Sequence, residues 1–346
     1  MAKSAIEWTD SVWNPVSGCT RVSAGCDNCY AVKMTKRLEA MGKPKYAGLV
    51  NIGKGHFNGV VKCHEDALTI PLKARKPRRW FVNSMSDLFH REVPFDFIDR
   101  VFAVMALCPH HTFQILTKRP ERMAEYFHYR PGMERAAAIA ETAMEIGNIR
   151  WRVGGRIMFG FEEDRRVVDD PGWPLPNVWL GTSVEDQKTA DERIPHLLRC
   201  PAVVRFLSCE PLLGPVKLCP GCPGCPTDCG WMPCQGFEVE PGVMSGCRGL
   251  PDCHVCHGAG TVSWVIVGGE SGPGARPMDL AWVYDIVKQC DSSGVAVFVK
   301  QLGKSFYFSA YNYGDDLLSA GAKGGDWDHA AFPEDLKIRE FPEVAR

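Results

Sequence analysis

The chain is 346 residues long, with 45% apolar and 23% charged residues and a formal net charge of −1. Such a chain buries a large core as one domain, with room for insertions, and has no global attraction for nucleic acid or anionic membrane. The N-terminal residues, Met-Ala-Lys-Ser-Ala-Ile-Glu-Trp, form no signal-peptide core, and the longest apolar run, Val101–Cys108, is too short to cross a bilayer. A soluble cytoplasmic protein with no membrane partner is expected, in which sixteen cysteines serve as metal thiolates rather than disulfides.

Taken in chain order, a strand near Val12–Trp13 feeds the loop Gly18-Cys19-Thr20-Arg21-Val22-Ser23-Ala24-Gly25-Cys26-Asp27-Asn28-Cys29. Three thiols in one glycine-bearing loop can converge on a single metal centre. A structural zinc takes four protein ligands, so one reading is a zinc knuckle completed by Cys63 or His64. The other is an iron–sulfur cluster that keeps one iron open for a reactant. Gly59–Cys63 reads as a further strand. Lys73, Arg75, Lys76, Arg78 and Arg79 form a basic run, but they precede the strand at Trp80 and read as a solvated surface on the face away from the active site.

Six apolar segments each end in polar or glycine-rich residues. Trp80–Met85 leads through Ser86-Asp87 to a helix over Phe95–Leu107, entered at Pro94, with Ile98, Val101, Phe102 and Met105 at helical spacing. Phe113–Leu116 leads to Thr117-Lys118-Arg119, and Val178–Leu180 to Gly181-Thr182-Ser183 with Glu185 beyond. Val203–Leu207 leads to Ser208-Cys209-Glu210-Pro211, Trp264–Val267 to Gly268-Gly269-Glu270-Ser271, and Val295–Val299 to Lys300-Gln301. Strands alternating with helices, with polar groups at their C-terminal ends, predict an α/β fold. The expectation is a complete or partial (β/α) TIM-like barrel forming one domain over residues 1–346; a doubly wound open sheet is the second choice.

Two stretches interrupt the pattern. Residues 130–175, with an alanine-rich helix at about Met133 to Ile146, read as an insertion. Residues 219–258 carry Cys219, Cys222, Cys225, Cys229, Cys234, Cys247, Cys253 and Cys256 and too few apolar residues for a core, so they are expected to fold around metal. Paired C-x2-C knuckles make structural Zn2+ the default and an auxiliary iron–sulfur cluster the alternative. The stretch Cys253-His254-Val255-Cys256-His257-Gly258-Ala259-Gly260 also resembles one zinc-knuckle repeat of the DnaJ chaperones. The tail aromatics Phe306, Tyr307, Phe308, Tyr311 and Tyr313 are expected to pack on the barrel.

An ordered set of motifs adds to this. Ile6-Glu7-Trp8-Thr9-Asp10 and Trp13-Asn14-Pro15 precede the cysteine loop, and Val82-Asn83-Ser84-Met85-Ser86-Asp87-Leu88-Phe89 and Leu116-Thr117-Lys118-Arg119-Pro120 follow it. Then come Leu180-Gly181-Thr182-Ser183-Val184-Glu185, Ser208-Cys209-Glu210-Pro211-Leu212, Val267-Gly268-Gly269-Glu270-Ser271-Gly272 and Lys300-Gln301-Leu302-Gly303. Over nearly the whole chain outside the insertions, the set resembles the phage-associated three-cysteine-motif family, grouped with radical S-adenosylmethionine proteins. The usual radical motif has three residues between its first two cysteines, whereas this chain has six.

The resemblance implies a [4Fe-4S] cluster on Cys19, Cys26 and Cys29, S-adenosyl-L-methionine as its partner, and an electron donor. It further implies a 5′-deoxyadenosyl radical and a nucleic-acid base or modified nucleotide as substrate, as in phage DNA modification. Under it, Asp87, Lys118, Glu210 and Glu270 are the candidate catalytic residues. Asn83, Ser84, Ser86, Thr182, Ser183, Ser208, Gly268 and Gly269 are the candidate cofactor-binding ones, with Thr117, Glu185 and Lys300 completing the ring. Two other readings stay open. One is a zinc-stabilised nucleic-acid-binding or adaptor protein without catalysis. The other is a metal-dependent nuclease using Asp87, Glu185, Glu210 and Glu270.

Overall fold

The structure, a computed structural model, describes residues 4, 6–51, 53, 55–129, 133–146, 151–153, 156–161, 164–169, 173–218, 237–240, 243–245, 261–309, 318–319 and 332–343. Seven strands form its main sheet: β1 (Ser11–Trp13), β2 (Arg79–Val82), β3 (Thr112–Thr117), β4 (Val178–Ser183), β5 (Val204–Cys209), β6 (Trp264–Gly268) and β7 (Ala296–Gln301). Their order in the sheet is their order in the chain. A doubly wound sheet reverses its strand order at a switch point, and this sheet does not; sequential winding is the pattern of (β/α) architectures. Five helices of eleven or more residues, α1 (Tyr30–Ala40), α2 (Phe95–Ala106), α3 (Met133–Ile146), α4 (Gln187–Leu198) and α5 (Leu280–Ser293), alternate with these strands, and a shorter helix spans Pro120–Tyr129.

The chain divides into two compact units. The first comprises Met1–Arg21, Cys29–Leu180 and Pro201–Val203, and the second Val22–Asn28, Gly181–Cys200 and Val204–Arg346. In the first unit β1 pairs parallel with β2 (Trp13 beside Val82) and β2 with β3 (Val82 beside Ile115). Trp80, Phe81 and Val82 are all buried, as expected of a parallel strand covered on both faces. Helix α2 starts after Pro94 and buries Phe97, Ile98, Val101, Phe102 and Met105. The carbonyls near its end accept from Asn177, whose Nδ2 donates to Met105 O and Cys108 O at 3.0 Å. Buried Asp99 on the same helix is satisfied by the Tyr126 hydroxyl at 2.8 Å.

In the second unit β5 pairs parallel with β6 and β6 with β7, and all five residues of β6 are buried. The segment Ile338–Glu340 lies beside β7, with Glu340 N donating to Val297 O at 2.8 Å, and covers that strand. Phe306 is fully buried and Phe308 stacks near Tyr284, so this part of the tail packs on the core as expected; Tyr311 and Tyr313 lie outside the described residues.

One expectation needs adjustment. The strand at Gly59–Cys63 shrinks to Lys62–Cys63, which pairs antiparallel with Val16–Ser17 outside the main sheet. The alanine-rich helix spans Met133–Ile146 as expected, buries Ile139 and Ala143 and packs on α2. An antiparallel three-stranded sheet follows it over Trp151–Val153, Arg156–Phe161 and Asp164–Asp169. Of the stretch 219–258, only a hairpin of Phe237–Glu240 with Val243–Ser245 is described; all eight of its cysteines lie outside the described residues. No helix among the described residues is long and apolar enough to cross a membrane.

Candidate functional site

In the first unit the site is built at the C-terminal ends of β1, β2 and β3. Asn83, just past β2, takes φ of +61°, the left-handed region that side chains other than glycine seldom occupy. Its Oδ1 accepts from Val16 N at 3.2 Å and its own N–H donates to Trp13 O at 2.7 Å, which turns the chain toward Asp87. Ser84 donates to Asn14 Oδ1 and Ser86 to Val16 O, so both hydroxyls tie the turn to the segment that precedes the cysteine loop.

Asp87 is the centre of this cluster. Its buried carboxylate accepts from Thr117 Oγ1 (2.7 Å), Phe89 N (3.0 Å), Lys118 N (3.1 Å) and Arg119 Nη1 (2.7 Å). Arg119 then reaches the cysteine loop: Nη2 donates to Thr20 O (3.0 Å) and Thr20 Oγ1 (2.7 Å), and Nη1 lies 3.7 Å from Cys19 Sγ. Burial opposes charge on this guanidinium, but Asp87 and then Cys19 outweigh it and hold its pKa above the ordinary value. Thr20 Oγ1 also meets His90 Nε2 at 2.9 Å. Because Glu92 N donates to His90 Nδ1, the neutral ring carries its proton on Nε2 and donates it to Thr20. Burial, then the Arg119 charge, push the His90 pKa down to about 4. At the base of the loop Gly18 has φ of +88°, and a Cβ there would sit 2.0 Å from Val60 O.

In the second unit the segment Val22–Asn28, which carries Cys26, is held by strand-end carboxylates. Glu185, past β4, is 1% exposed and accepts from Ser23 Oγ (2.9 Å) and from Arg193 Nη1 (3.2 Å). A Cβ on Gly25 would fall 2.5 Å from the Glu185 carboxylate, so glycine lets the loop pass. Glu270, past β6, accepts from Asn28 Nδ2 (2.9 Å) and from Arg276 N (2.8 Å), Nε (3.0 Å) and Nη2 (2.6 Å). Arg276 also donates to Ala24 O at 2.9 Å and approaches Asp27 at 3.6 Å. Burial raises the Glu270 pKa, but the hydrogen bonds from Arg276 and Asn28 prevail and hold it below the ordinary value. A third pair joins Lys300 Nζ and Gln301 Nε2 to Glu210 Oε1 at 2.6 and 2.7 Å.

The four candidate strand-end carboxylates therefore each have a cation: Asp87–Arg119, Glu185–Arg193, Glu210–Lys300 and Glu270–Arg276. Of the remaining candidates, Lys118 is half-buried and its backbone is used by Asp87, while Thr182, Ser183 and Ser208 are buried within β4 and β5. Ser183 O accepts from Arg193, and Ser208 O accepts from Val184 N. Gly268 and Gly269 end β6, where a Cβ on Gly269 would strike Leu302 O at 2.3 Å. Cys29 begins α1, and its carbonyl accepts from Val32 N. Cys19, Cys26 and Cys29 are half-buried thiols. Cys63 is exposed beside Val16, and His64 Nε2 is bonded to Ser17 Oγ at 2.8 Å. No group of three or more His, Cys, Asp or Glu among the described residues is arranged to hold a metal ion.

The residues that sequence reasoning missed are the connecting ones: Thr20, Ser23, Asn28, His90, Arg193 and Arg276, with Arg119 named only as part of a strand-end motif. Arg276 lies in the glycine-rich turn that starts at Glu270, a local signal that was there to be read. Arg119 and His90 had none, because their partners lie on other elements.

The model of a family described as a protein of unknown function, DUF5131, matches residues 3–330. The chain belongs to that family. No curated protein and no solved structure matches it. The family match takes in every strand end described above, all the carboxylate–cation pairs and both cysteine-bearing stretches.

Proposed function

We propose that this DUF5131 protein is a radical S-adenosylmethionine enzyme on a partial (β/α) barrel, with a [4Fe-4S] cluster held by Cys19, Cys26 and Cys29. The observation that carries the reading is the way strand-end ion pairs fix the cysteine loop. Arg119, anchored on Asp87, reaches the Cys19 sulfur, and Glu185, Glu270 and Arg276 fix the residues on either side of Cys26. A loop of no chemical consequence would not need four buried or half-buried charged groups to define it.

What supports the cluster is the chemistry of the donor set and not an assembled site, since among the described residues the thiols are not grouped around a metal. All three cysteines carry half-buried thiols, and a guanidinium at one sulfur would offset the negative charge that thiolate ligands bring. When bound, the cluster and S-adenosylmethionine supply one-electron cleavage to a 5′-deoxyadenosyl radical, chemistry that belongs to the cofactor. The chain's own residues position and shield. Asp87 fixes Arg119, Arg119 fixes Cys19 and Thr20, and His90 stays neutral and holds the Thr20 hydroxyl. Because the carboxylates are already matched with cations, they serve this reading better than a nuclease, which must offer carboxylates to divalent metal. The substrate in this reading is a nucleic-acid base or modified nucleotide. The eight cysteines of the 219–258 stretch are assigned to structural Zn2+, with an auxiliary cluster as the other possibility for them.

The test is chemical. Protein purified without oxygen, reconstituted with iron and sulfide and reduced with dithionite is expected to convert S-adenosylmethionine to 5′-deoxyadenosine. Cys26→Ala is expected not to. Zinc in place of iron in the parent, with no 5′-deoxyadenosine, would leave the non-catalytic nucleic-acid-binding reading in front.

A further inference from the structure

The charge of this chain is balanced overall but not locally. Between Tyr30 and Lys62 it carries seven lysines and arginines and a single acidic residue, Glu39, in a protein with 40 basic and 41 acidic residues. Glu39 is itself occupied, accepting from Gly48 N at 2.7 Å. Lys33, Lys36, Arg37 and Lys43 are exposed, and among the described residues none of the four enters an ion pair. Helix α1 buries Ala31, Val32 and Thr35 on one side. Its opposite side, at helical spacing, presents Tyr30, Lys33, Met34 and Arg37, with Met41 at the cap. Tyr30 is 51% exposed and Met34 40%, unusual exposure for large apolar groups beside so much charge. The Tyr30 hydroxyl donates to Ser84 O at 2.6 Å, which fixes the ring at the strand-end turn leading to Asp87.

We infer that the outward face of α1 is a docking surface for a single-stranded nucleic acid. Lys33, Lys36, Arg37 and Lys43 meet phosphates, and Tyr30 and Met34 offer flat and apolar contact to unstacked bases. An anionic membrane or an acidic protein would match the charge as well, but a ring held in place by its hydroxyl and flanked by cations suits a base stacked along a phosphate backbone. The position favours it too: α1 follows directly on Cys29, its N-cap, so a strand lying on this face is led to the last residue of the cysteine loop. The basic run from Lys73 to Arg79 has no such placement. It precedes β2, and Arg78 and Arg79 are tied to Ser11 and Asp10 there. The inference deepens the substrate half of the reading above and does not depend on the cluster.

The experiment is fluorescence anisotropy of a fluorescein-labelled, mixed-sequence oligodeoxynucleotide with the full-length protein. It is run between about 50 and 200 mM salt. The parent is expected to bind with an affinity that falls steeply with salt. The triple variant K33E/K36E/R37E is expected to lose at least about tenfold and to flatten the slope by about 0.7 for each single-strand phosphate contact removed. The milder R37Q guards against a folding defect and is expected to weaken binding in the same direction, and Y30A to weaken single-strand binding more than duplex binding. The control K73E/K76E is expected to bind like the parent. Equal loss in the control, unchanged binding by the triple variant, or tighter binding of the parent to phosphatidylserine vesicles than to the oligonucleotide would each overturn the assignment. The assay is repeated on Cys19→Ser protein without a cluster. Binding there with no iron in the parent would sink the radical reading and leave the docking surface standing.

Discussion

The two units fix the cysteine loop with the same device used in different ways. In the first, the Asp87 carboxylate accepts four hydrogen bonds, one of them from an arginine, and that arginine touches the Cys19 sulfur. In the second, the Glu270 carboxylate also accepts four, three of them from an arginine, but that arginine reaches only the backbone and Asp27 beside Cys26. Asp87 and Arg119 come from two strand ends, and the Arg119 side chain is 16% exposed. Glu270 and Arg276 share one turn, and Arg276 is 33% exposed. A buried pair assembled from separate strands depends on how those strands align, whereas a local, half-solvated pair works as a clasp on a loop.

The largest effect is expected in the second unit but away from the clasp. Glu185→Ala removes a carboxylate that is 1% exposed and strands Arg193, whose side chain is 6% exposed. An uncompensated charge at that depth costs about 3 to 5 kcal/mol, read as a large drop in the thermal midpoint. Next comes Arg119→Met, which leaves Asp87 charged but still held by three donors. A loss of about 2 to 3 kcal/mol is expected, together with reduced iron uptake on reconstitution. If Arg119→Met keeps full iron uptake, the contact with Cys19 has no bearing on the site. Arg276→Gln is expected to cost less, about 1 kcal/mol, because solvent screens this half-exposed pair. Its signature is faster hydrogen exchange over Ala24–Asn28 with α1 unchanged.

Acid separates the two regions further. His90 ionises near pH 4 in the fold, held down by burial and then by Arg119, against an ordinary value of 6.5. A depressed histidine is neutral in both states above about pH 6.5, and its contribution is lost as the pH falls from there toward 4, since the unfolded chain takes up the proton first. Glu270 is depressed as well, but a carboxylate loses its contribution only as the pH drops through its own lowered value, below the ordinary 4.5. Mild acid is therefore expected to loosen the Thr20–His90–Arg119 network while the Glu270–Arg276 clasp holds. The effect is about 1 kcal/mol, visible as hydrogen exchange rising at residues 18–20 before residues 22–28. His90→Gln is expected to remove the difference.

How much of this was legible in the sequence follows from where each signal lies. The seven strands were readable because buried parallel strands are short apolar runs with polar ends, and Phe95–Ala106 because Pro94 and the spacing of Ile98, Val101, Phe102 and Met105 mark a helix. The strand-end carboxylates were readable as chemistry-bearing positions. Their cations were not, because Asp87 with Arg119 and Glu210 with Lys300 are joined only when separate strands align. Nor does the loop's division announce itself: Val22–Asn28 belongs with the second unit while the residues on both sides belong with the first. No local pattern records that.

The most direct measurement is iron and sulfide per chain after anaerobic reconstitution, for the parent beside Cys26→Ala and Cys63→Ala. The account predicts about four extra irons in the parent and in Cys63→Ala, and the loss of those irons in Cys26→Ala, since three loop cysteines serve one centre. Equal iron in the parent and in Cys26→Ala, or loss of iron in Cys63→Ala, would contradict it.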